Sequence, residues 1–535
     1  MNAETNAAAA RPAEQSPAQP SGPSTGPDPR RWWTLGAVAL GTFMLLLDIT
    51  IVNVALPAIQ QDLSSSFADL QWVVDAYALT LAATLLTAGS LADLYGRRRL
   101  YLIGVAWFTL ASALCGSATN TLFLQLARGA QGVGGAIMFA VSLALLADAF
   151  RGKERGVAFG VWGAITGLAV AIGPLVGGAL TSGLSWRWIF FVNLPIGAIA
   201  FVLTATRVRE SRDPRPRRPD WWGFLTFTAS LSLLVFALIR SGERGFTNSV
   251  VLGCYAGAAA LMLTFVYIES VTPHPMFDLT LFRKPTFIGG AVAAFGVSAT
   301  IFAMFLYLTI YVQDVLGYSP FATGIRLLTA SAGIFAVAGI SGRLSARVPI
   351  RLLIGPGLIL VSVGLALMRG LDAGSKWTHL VPGLIVAGVG VGLLNPPLAS
   401  TAVGVVREHQ AGMASGINST FRQVGIATGI ALLGSLFASR VHSAAATDLA
   451  RVPSLGAHTQ QISAALTNGE LQKSLTTLPA AQREPVAFAA RAAFTTGMND
   501  ILLVASVTAL VAGLLTLVLI RGKDFVQTQY GPPPE

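Results

Sequence analysis

Charge is what this chain has least of. Only 11% of its 535 residues are Asp, Glu, Lys or Arg, against about 25% in ordinary soluble domains. With 53% hydrophobic residues and a mean hydropathy of +0.64, that scarcity excludes a soluble globular enzyme and makes lipid the solvent for most of the chain. Cysteine is nearly absent too. Cys115 and Cys254 both lie inside apolar segments, which excludes a disulfide framework and leaves them as small core residues. No G-x-x-x-x-G-K-[ST] stretch occurs, so ATP hydrolysis by this chain is not expected, and neither is a cofactor or a metal. The formal net charge of +11 invites a nucleic-acid partner, but the basic residues sit in short clusters between apolar runs, where a membrane protein carries its orientation signals. Nucleic acid is therefore excluded.

What is there is apolar length. A helix needs about 20 apolar residues to cross a hydrocarbon core of about 30 Å. Such windows fall near 33–56, 72–92, 99–118, 122–146, 156–181, 188–206, 221–239, 248–269, 286–312, 321–343, 350–369, 378–401, 412–437 and 498–520. These predict an all-α, multi-pass membrane protein with fourteen spans. Residues 1–31, rich in Ala, Pro, Ser and Gly, lack the apolar content to fold and are expected to be a disordered tail. Arg30 and Arg31 imitate a secretory signal, but the run that follows them is too long for a signal core. The expected organisation is a bundle of six helices over 32–207 and a linker with two inserted helices over 208–285. A second six-helix bundle follows over 286–521, with an outer loop at 439–498, and a tail over 522–535.

Alternate connections collect the basic residues: Arg97, Arg98 and Arg99; Arg151, Lys153 and Arg155; Arg207, Arg209, Arg212, Arg215, Arg217 and Arg218; Arg283 and Lys284; Arg343, Arg347 and Arg351; and Arg407. The short connections between them hold only Arg187, Arg240, Arg244, Arg369 and Lys376. By the positive-inside rule both termini are expected to be cytoplasmic, in the cytoplasmic membrane of a bacterium. The long outer loop shows short helical patterns at 459–467 and 484–494, with His442, His458 and no cysteine. It is expected to form a small ordered lid with no chemistry of its own.

Asp48 is the sharpest single feature, an acid alone in the apolar run from Trp32 to Ala58. Insertion scales charge about 2.5–3.5 kcal/mol for an ionised carboxylate at mid-membrane. A chain that keeps such a group uses it to carry a proton or hold a polar ligand. The blander alternative is an acid that stabilises helix contacts through hydrogen bonds. Arg128, in the fourth window, must face the bundle interior and pair with a carboxylate or water. An arginine does not release its proton in a protein, so its task is to hold a neighbouring acid or water. Asp48 and Asp75 are both candidates for that acid.

The second window ends in Gly89-Ser90-Leu91-Ala92-Asp93-Leu94-Tyr95-Gly96-Arg97-Arg98-Arg99. A degraded copy, Gly339-Ile340-Ser341-Gly342-Arg343-Leu344-Ser345-Ala346-Arg347, closes the tenth window. Echoes at corresponding places in two six-helix halves indicate a parallel repeat, a recurring transporter design. Asp93 is suited to pair with arginines and to cap a neighbouring helix N-terminus, so the cluster reads as a gating loop built on Gly89, Asp93, Gly96, Arg97 and Arg98. Its blander reading is an orientation signal alone. The pattern resembles the loop signature of the major facilitator superfamily. Two further stretches resemble the fourteen-helix drug:proton antiporters of that superfamily: Leu47-Asp48-Ile49-Thr50-Ile51-Val52-Asn53-Val54-Ala55-Leu56-Pro57, and Trp186-Arg187-Trp188-Ile189-Phe190-Phe191-Val192-Asn193-Leu194-Pro195-Ile196-Gly197. The fourth window, with Arg128, Gln131, Gly132, Gly134 and Gly135, is similar to the family's helix implicated in proton transfer. The fifth, with Gly163, Gly167, Gly173, Pro174, Gly177 and Gly178, is similar to the antiporter motif of its exporters. There Pro174 removes a backbone donor and bends the helix, while the glycines permit close contact. Thr329 stands where the family often has proline, which leaves a bend in the tenth helix unsupported.

The resemblance implies a proton-coupled antiporter, acting as a monomer, that exports small amphipathic drugs or antibiotics. Asp48, Asp75 and Arg128 would couple to protons. Asn53, Tyr77, Gln131, Phe302, Tyr307, Asn395 and Arg422 would line the substrate cavity. Asn395-Pro396-Pro397 is expected to break its helix and free carbonyls for that cavity. Phe295, Phe302, Met304, Phe305, Tyr307 and Tyr311 form a stripe that suits core contacts or an apolar cavity. Arg326 is placed to snorkel toward the surface, whereas Arg422 lies deeper and must face water or an acid. Alternatives are an exporter of an endogenous lipid, peptide or siderophore, a facilitator importer without proton exchange, and a membrane receptor.

Overall fold

The computed structural model describes residues 30–65, 67–150, 152–212, 220–272, 277–345, 347–406, 411–449 and 480–525. The N-terminal tail before Arg30, Arg215, Arg217, Arg218, Arg407 and the 459–467 pattern lie outside the described residues. So do the side chains of Asn53, Asp75 and Pro174.

Among the described residues the regular structure is helical throughout. The helices are α1 Arg31–Leu63, α2 Phe67–Tyr95, α3 Arg97–Gly116, α4 Thr121–Ala149, α5 Gly152–Gly183, α6 Trp188–Phe191 and α7 Asn193–Arg207. Next come α8 Trp221–Arg244, α9 Ser249–Val271, α10 Pro285–Val297 and α11 Ala303–Ile310, the last two joined through a π-helical turn at Ser298–Phe302. The set closes with α12 Pro320–Leu344, α13 Arg351–Leu367, α14 Val381–Gly404, α15 Ala411–Leu449 and α16 Ala480–Leu519. Eleven are long and apolar enough to cross a membrane, or thirteen when two bent pairs each count as one span. The window near 350–369 folds as α13, an apolar helix of only 17 residues. The chain is a multi-pass membrane protein; among the described residues length and composition support eleven to thirteen crossings, which does not confirm the fourteen expected.

The helices form two similar halves. In the first, α4 packs on α2 and α3, and α1 on α5 and α7. In the second, α14 packs on α12 and α13, α10 on α15, and α13 on α16. The contacts between halves follow the same exchange: α5 lies against α12 as α2 lies against α15, and α4 against α15 as α14 against α5. That is the arrangement a parallel repeat requires. The hairpin of α8 and α9 stands outside the repeat and touches α2 and α15 through α8. Each half has its own apolar core, one around Tyr101, Phe108, Phe159 and Trp162, the other around Tyr311, Phe437 and Phe494.

Two expectations meet a different structure. The proline pair does not break its helix: α14 runs from Val381 through Pro396 and Pro397 to Gly404. Pro397 has no N–H for the carbonyl four residues earlier, and that carbonyl, of Leu393, instead accepts the Ser341 hydroxyl from α12. A neighbouring helix thus satisfies the freed group and the helix continues. The outer connection also differs at its ends. The flanking helices run on to Leu449 and start at Ala480, so the 484–494 pattern is the first turns of α16 rather than part of a loop.

Candidate functional site

The first feature of the site is made by glycine. On α4, a Cβ at Gly132 would stand 2.5 Å from the Tyr77 carbonyl, and one at Gly134 would stand 2.6 Å from the Phe108 nitrogen. With hydrogen there instead, α2 and α3 close on α4 to backbone contact. Arg128, one turn before Gly132, is thereby enclosed on all sides and is 1% exposed. Its Nη1 donates to Asp48 Oδ2 at 2.5 Å and to Gln131 Oε1 at 2.7 Å, and its Nε donates to the Val73 carbonyl at 3.2 Å. The Tyr77 ring lies 4.2 Å from the guanidinium carbon and the Phe190 ring 5.8 Å from it.

Asp48, on α1, is fully buried. Its Oδ1 accepts from Gln131 Nε2 at 2.9 Å and from Asn193 Nδ2 at 3.1 Å. Asn193 Nδ2 also reaches Ser112 Oγ at 3.0 Å, and Ser112 donates to the Phe190 carbonyl. Every side chain that bonds the carboxylate does so as a donor. A proton on Asp48 would therefore have to displace one of them, and the ion pair with Arg128 is the bond it would weaken most.

Among the described side chains the acid bonded to Arg128 is Asp48, while the side chain of Asp75 lies outside them. Tyr77 and Gln131, expected at the substrate cavity, lie beside this ion pair. Asn193 and Ser112 were given no role from sequence. Asn193 is a lone amide amid the apolar residues of the Trp186–Gly197 stretch, and that is the signal the sequence offers. Tyr307 is 6% exposed, donates to the Ile430 carbonyl at 3.0 Å and lies with its ring tilted against Phe437, which places it in the core of the second half. Phe302, at the end of the π-helical turn, is half-buried.

The second feature is at the end of the bundle where α1 begins and the basic clusters gather. Asp93 accepts from Arg97 Nε at 3.0 Å and Nη2 at 2.9 Å through one oxygen. Through the other it accepts from the backbone N–H of Met413, in the first turn of α15, at 3.0 Å. A carboxylate on a helix N-terminus satisfies an unpaired donor and meets the positive end of the dipole. This one does so across the boundary between halves. Gly96 has φ +109°, a conformation glycine alone adopts freely, and a Cβ there would meet the Glu210 carboxylate at 2.7 Å. That turn lets Glu210 accept from the N–H groups of Arg98 and Arg99 at 3.0 and 3.1 Å and so cap α3. Arg98 reaches back to the Thr204 and Ala205 carbonyls at the end of α7. Gly89 is buried in α2. Nearby, Ser415 donates to the Ala140 carbonyl, again from one half to the other, at 2.6 Å.

The third feature is the bend in α5, 40° between Glu154–Val170 and Leu175–Gly183. A Cβ at Gly173 would stand 1.8 Å from Thr50 Oγ1, and one at Gly177 would stand 3.0 Å from the Ile51 carbonyl. Gly178 is buried alongside. The bend is therefore seated on α1 two and three residues past Asp48. On its far side Leu175 touches Gly324 of α12, so one helix segment joins the ion pair to the opposite half. Lastly, Arg422 of α15 donates from Nη2 to Asn395 Oδ1 of α14 at 2.8 Å. Both are buried, at the seam where Gly163 of α5 meets Pro396.

A family model described as Major Facilitator Superfamily matches residues 38–430. The chain is 41% identical over 407 residues to the multidrug resistance protein Stp of Mycobacterium tuberculosis, covering 76% of each chain. It is 36% identical over 417 residues to the puromycin resistance protein pur8 of Streptomyces alboniger, covering 77% of this chain and 82% of that one. Among solved structures it resembles the human organic anion transporter MFSD10 with a TM-score of 0.62 and 14% identity, over 91% of this chain and all of that one, a likeness of fold. The packing of two similar halves, the Asp93 cluster, the bent fifth helix and these matches agree: the chain belongs to the Major Facilitator Superfamily.

Proposed function

We propose that this protein is an antiporter of the bacterial cytoplasmic membrane, exporting amphipathic drugs or antibiotics in exchange for protons by alternating access, with both termini cytoplasmic. The resistance functions named for its relatives support export of a small organic compound. The observation that carries proton coupling is the buried Asp48–Arg128 pair with its donor-only surroundings. With Asp48 ionised, Arg128 is held and α1 sits against the α5 bend. With Asp48 protonated, the pair loosens, and α1 with the seated bend is free to shift. Because Leu175 abuts Gly324, that shift reaches the other half, which rocks against the first. The Asp93 cap on α15 closes the cytoplasmic end in one state and must be released in the other.

Export and proton flow are tested together in proteoliposomes. An imposed inward-directed proton gradient is expected to drive accumulation of an amphipathic drug on the side corresponding to the cell exterior. Drug added to loaded vesicles should in turn displace protons. Transport that is indifferent to both the pH and the electrical gradient, with no proton counterflow, would sink the reading and favour a facilitator.

A further inference from the structure

The two halves treat their buried arginines differently. Arg128 is matched by Asp48. Arg422 is 6% exposed, and among the described residues no carboxylate forms an ion pair with it. Its Nε has no protein partner, and the polar groups beside it are in the same condition: Asn395 Nδ2, both side-chain atoms of Asn418, and Ser419 Oγ. Asn395, Asn418 and Ser419 are 1%, 5% and 0% exposed. Leaving so many buried polar atoms unpaired is destabilising, and an unpaired charge most of all.

These groups share one place. Asn418 and Ser419 lie four and three residues before Arg422, on one face of α15. Ser415, on the same face, donates across the seam to Ala140, so that face is turned to the first half. Arg422 lies about 10 Å further along the helix from that contact, beyond the closed end. Asn395 meets it from α14, and the adjacent Pro396 rests on Gly163. The cluster thus stands at the boundary that rocking exposes. Its chemistry is lopsided: among the described residues it has a permanent cation and several amide and hydroxyl donors but no acid. A guanidinium fork is the side chain best fitted to grip a planar anion through parallel hydrogen bonds.

We propose that Arg422, with Asn395, Asn418 and Ser419, receives an anionic group of the exported compound, a carboxylate or phenolate, so that the cargo is an acidic amphipath. The proposal rests on the export reading above and names its substrate class. In this scheme the two arginines have separate tasks. Arg128 is occupied by the proton-carrying acid of the chain, and Arg422 is reserved for the acid of the cargo.

The test uses full-length protein in lipid nanodiscs, titrated with pyrenebutanoate and with its neutral amide, pyrenebutanamide. The two probes are matched in aromatic surface. The acid is expected to bind at least ~10-fold more tightly, the worth of one charge-assisted hydrogen bond. Arg422→Gln should abolish that ratio, Arg422→Lys should retain part of it, and Asn418→Leu should reduce it. Equal affinity for the two probes in the unaltered protein, or binding of neither, overturns the proposal. So does a ratio that survives Arg422→Gln. Should Arg422→Gln fail to fold, the ratio in the unaltered protein and its reduction in Asn418→Leu decide the matter. No gradient is present in this assay. Acid preference without gradient-driven transport would remove proton-coupled export and leave the anion site standing. Gradient-driven export of the amide as well as the acid would do the reverse.

Discussion

At the scale of single residues, the buried pair sets the strictest demands. Replacing Asp48 by Asn keeps its size but puts an amide donor among Arg128, Gln131 and Asn193, all of which donate to Asp48. Removing one partner of a buried ion pair typically costs about 3–5 kcal/mol. Asp48→Asn should therefore lower the melting temperature and abolish drug-driven proton release from proteoliposomes. The double variant Asp48→Asn, Arg128→Gln should regain part of the stability and none of the coupling. Full proton release by the single variant would take Asp48 out of the mechanism. Asp62 is the contrasting case, half-exposed at the far end of α1. Its carboxylate accepts from Arg187 Nη1 at 2.7 Å and Trp186 Nε1 at 3.0 Å, and the Arg187 bond first, then the Trp186 bond, holds it below the usual 3.8. A folded-state value lower than the unfolded one adds stability above the unfolded value, and that stability is lost as pH falls through the lowered value. Exposed pairs contribute about 0–1 kcal/mol. Melting curves should accordingly show Asp62→Asn slightly destabilised at pH 7, with the gap closing below about pH 4.

At the scale of the element, α5 is where local sequence and the contact between halves meet. Its glycines remove the side chains that would keep α1 away, and its bend directs the helix from one half to the other. Pro174→Ala restores an N–H and with it the means to straighten. Proton-to-drug stoichiometry should loosen in this variant while membrane insertion stays unchanged. An unaltered stoichiometry would reduce the bend to a spacer. Gly173→Val drives a branched side chain into Thr50, whose hydroxyl is already bonded to the Leu46 and Leu47 carbonyls. It should lower both the melting temperature and the export rate, because the displaced segment of α1 is the one that carries Asp48.

For the whole molecule, the question is how firmly the end near the chain's N-terminus is shut. Asp93 contributes a charge-assisted bond to Met413 N–H across the halves, and Gly156 and Gly342 meet so closely that a Cβ on either would stand 2.2 Å from the other's carbonyl oxygen. Bonds to charged groups contribute about 1.5–3 kcal/mol, enough to shift a two-state equilibrium roughly 10- to 100-fold. Spin labels at Tyr95 and Arg347, one on each half, should report a larger open population in Asp93→Asn. Gly342→Val should open the same end by bulk alone. An unchanged distance distribution in both variants would mean that the closure is held elsewhere.

Much of this protein was legible in the sequence because the relevant costs are local. Hydrocarbon rejects charge and unpaired backbone wherever they occur, so apolar runs of crossing length, basic clusters in alternate connections and the few ionisable residues left inside can be read from position alone. The all-α membrane class and the rarity of Asp48, Arg128 and Arg422 follow from that. Partnerships do not, because they depend on how each helix is turned about its axis against its neighbours. Asp48 bonds to an arginine 80 positions away and to an amide 145 positions away, which drew Gln131 and Tyr77 into the ion pair. The proline pair of α14 leaves its helix unbroken because a serine 52 positions earlier takes the freed carbonyl. Only the folded arrangement decided that, among the described residues, Arg128 has an acid and Arg422 has none, since an acid offsets a charge only when packing brings the two within reach.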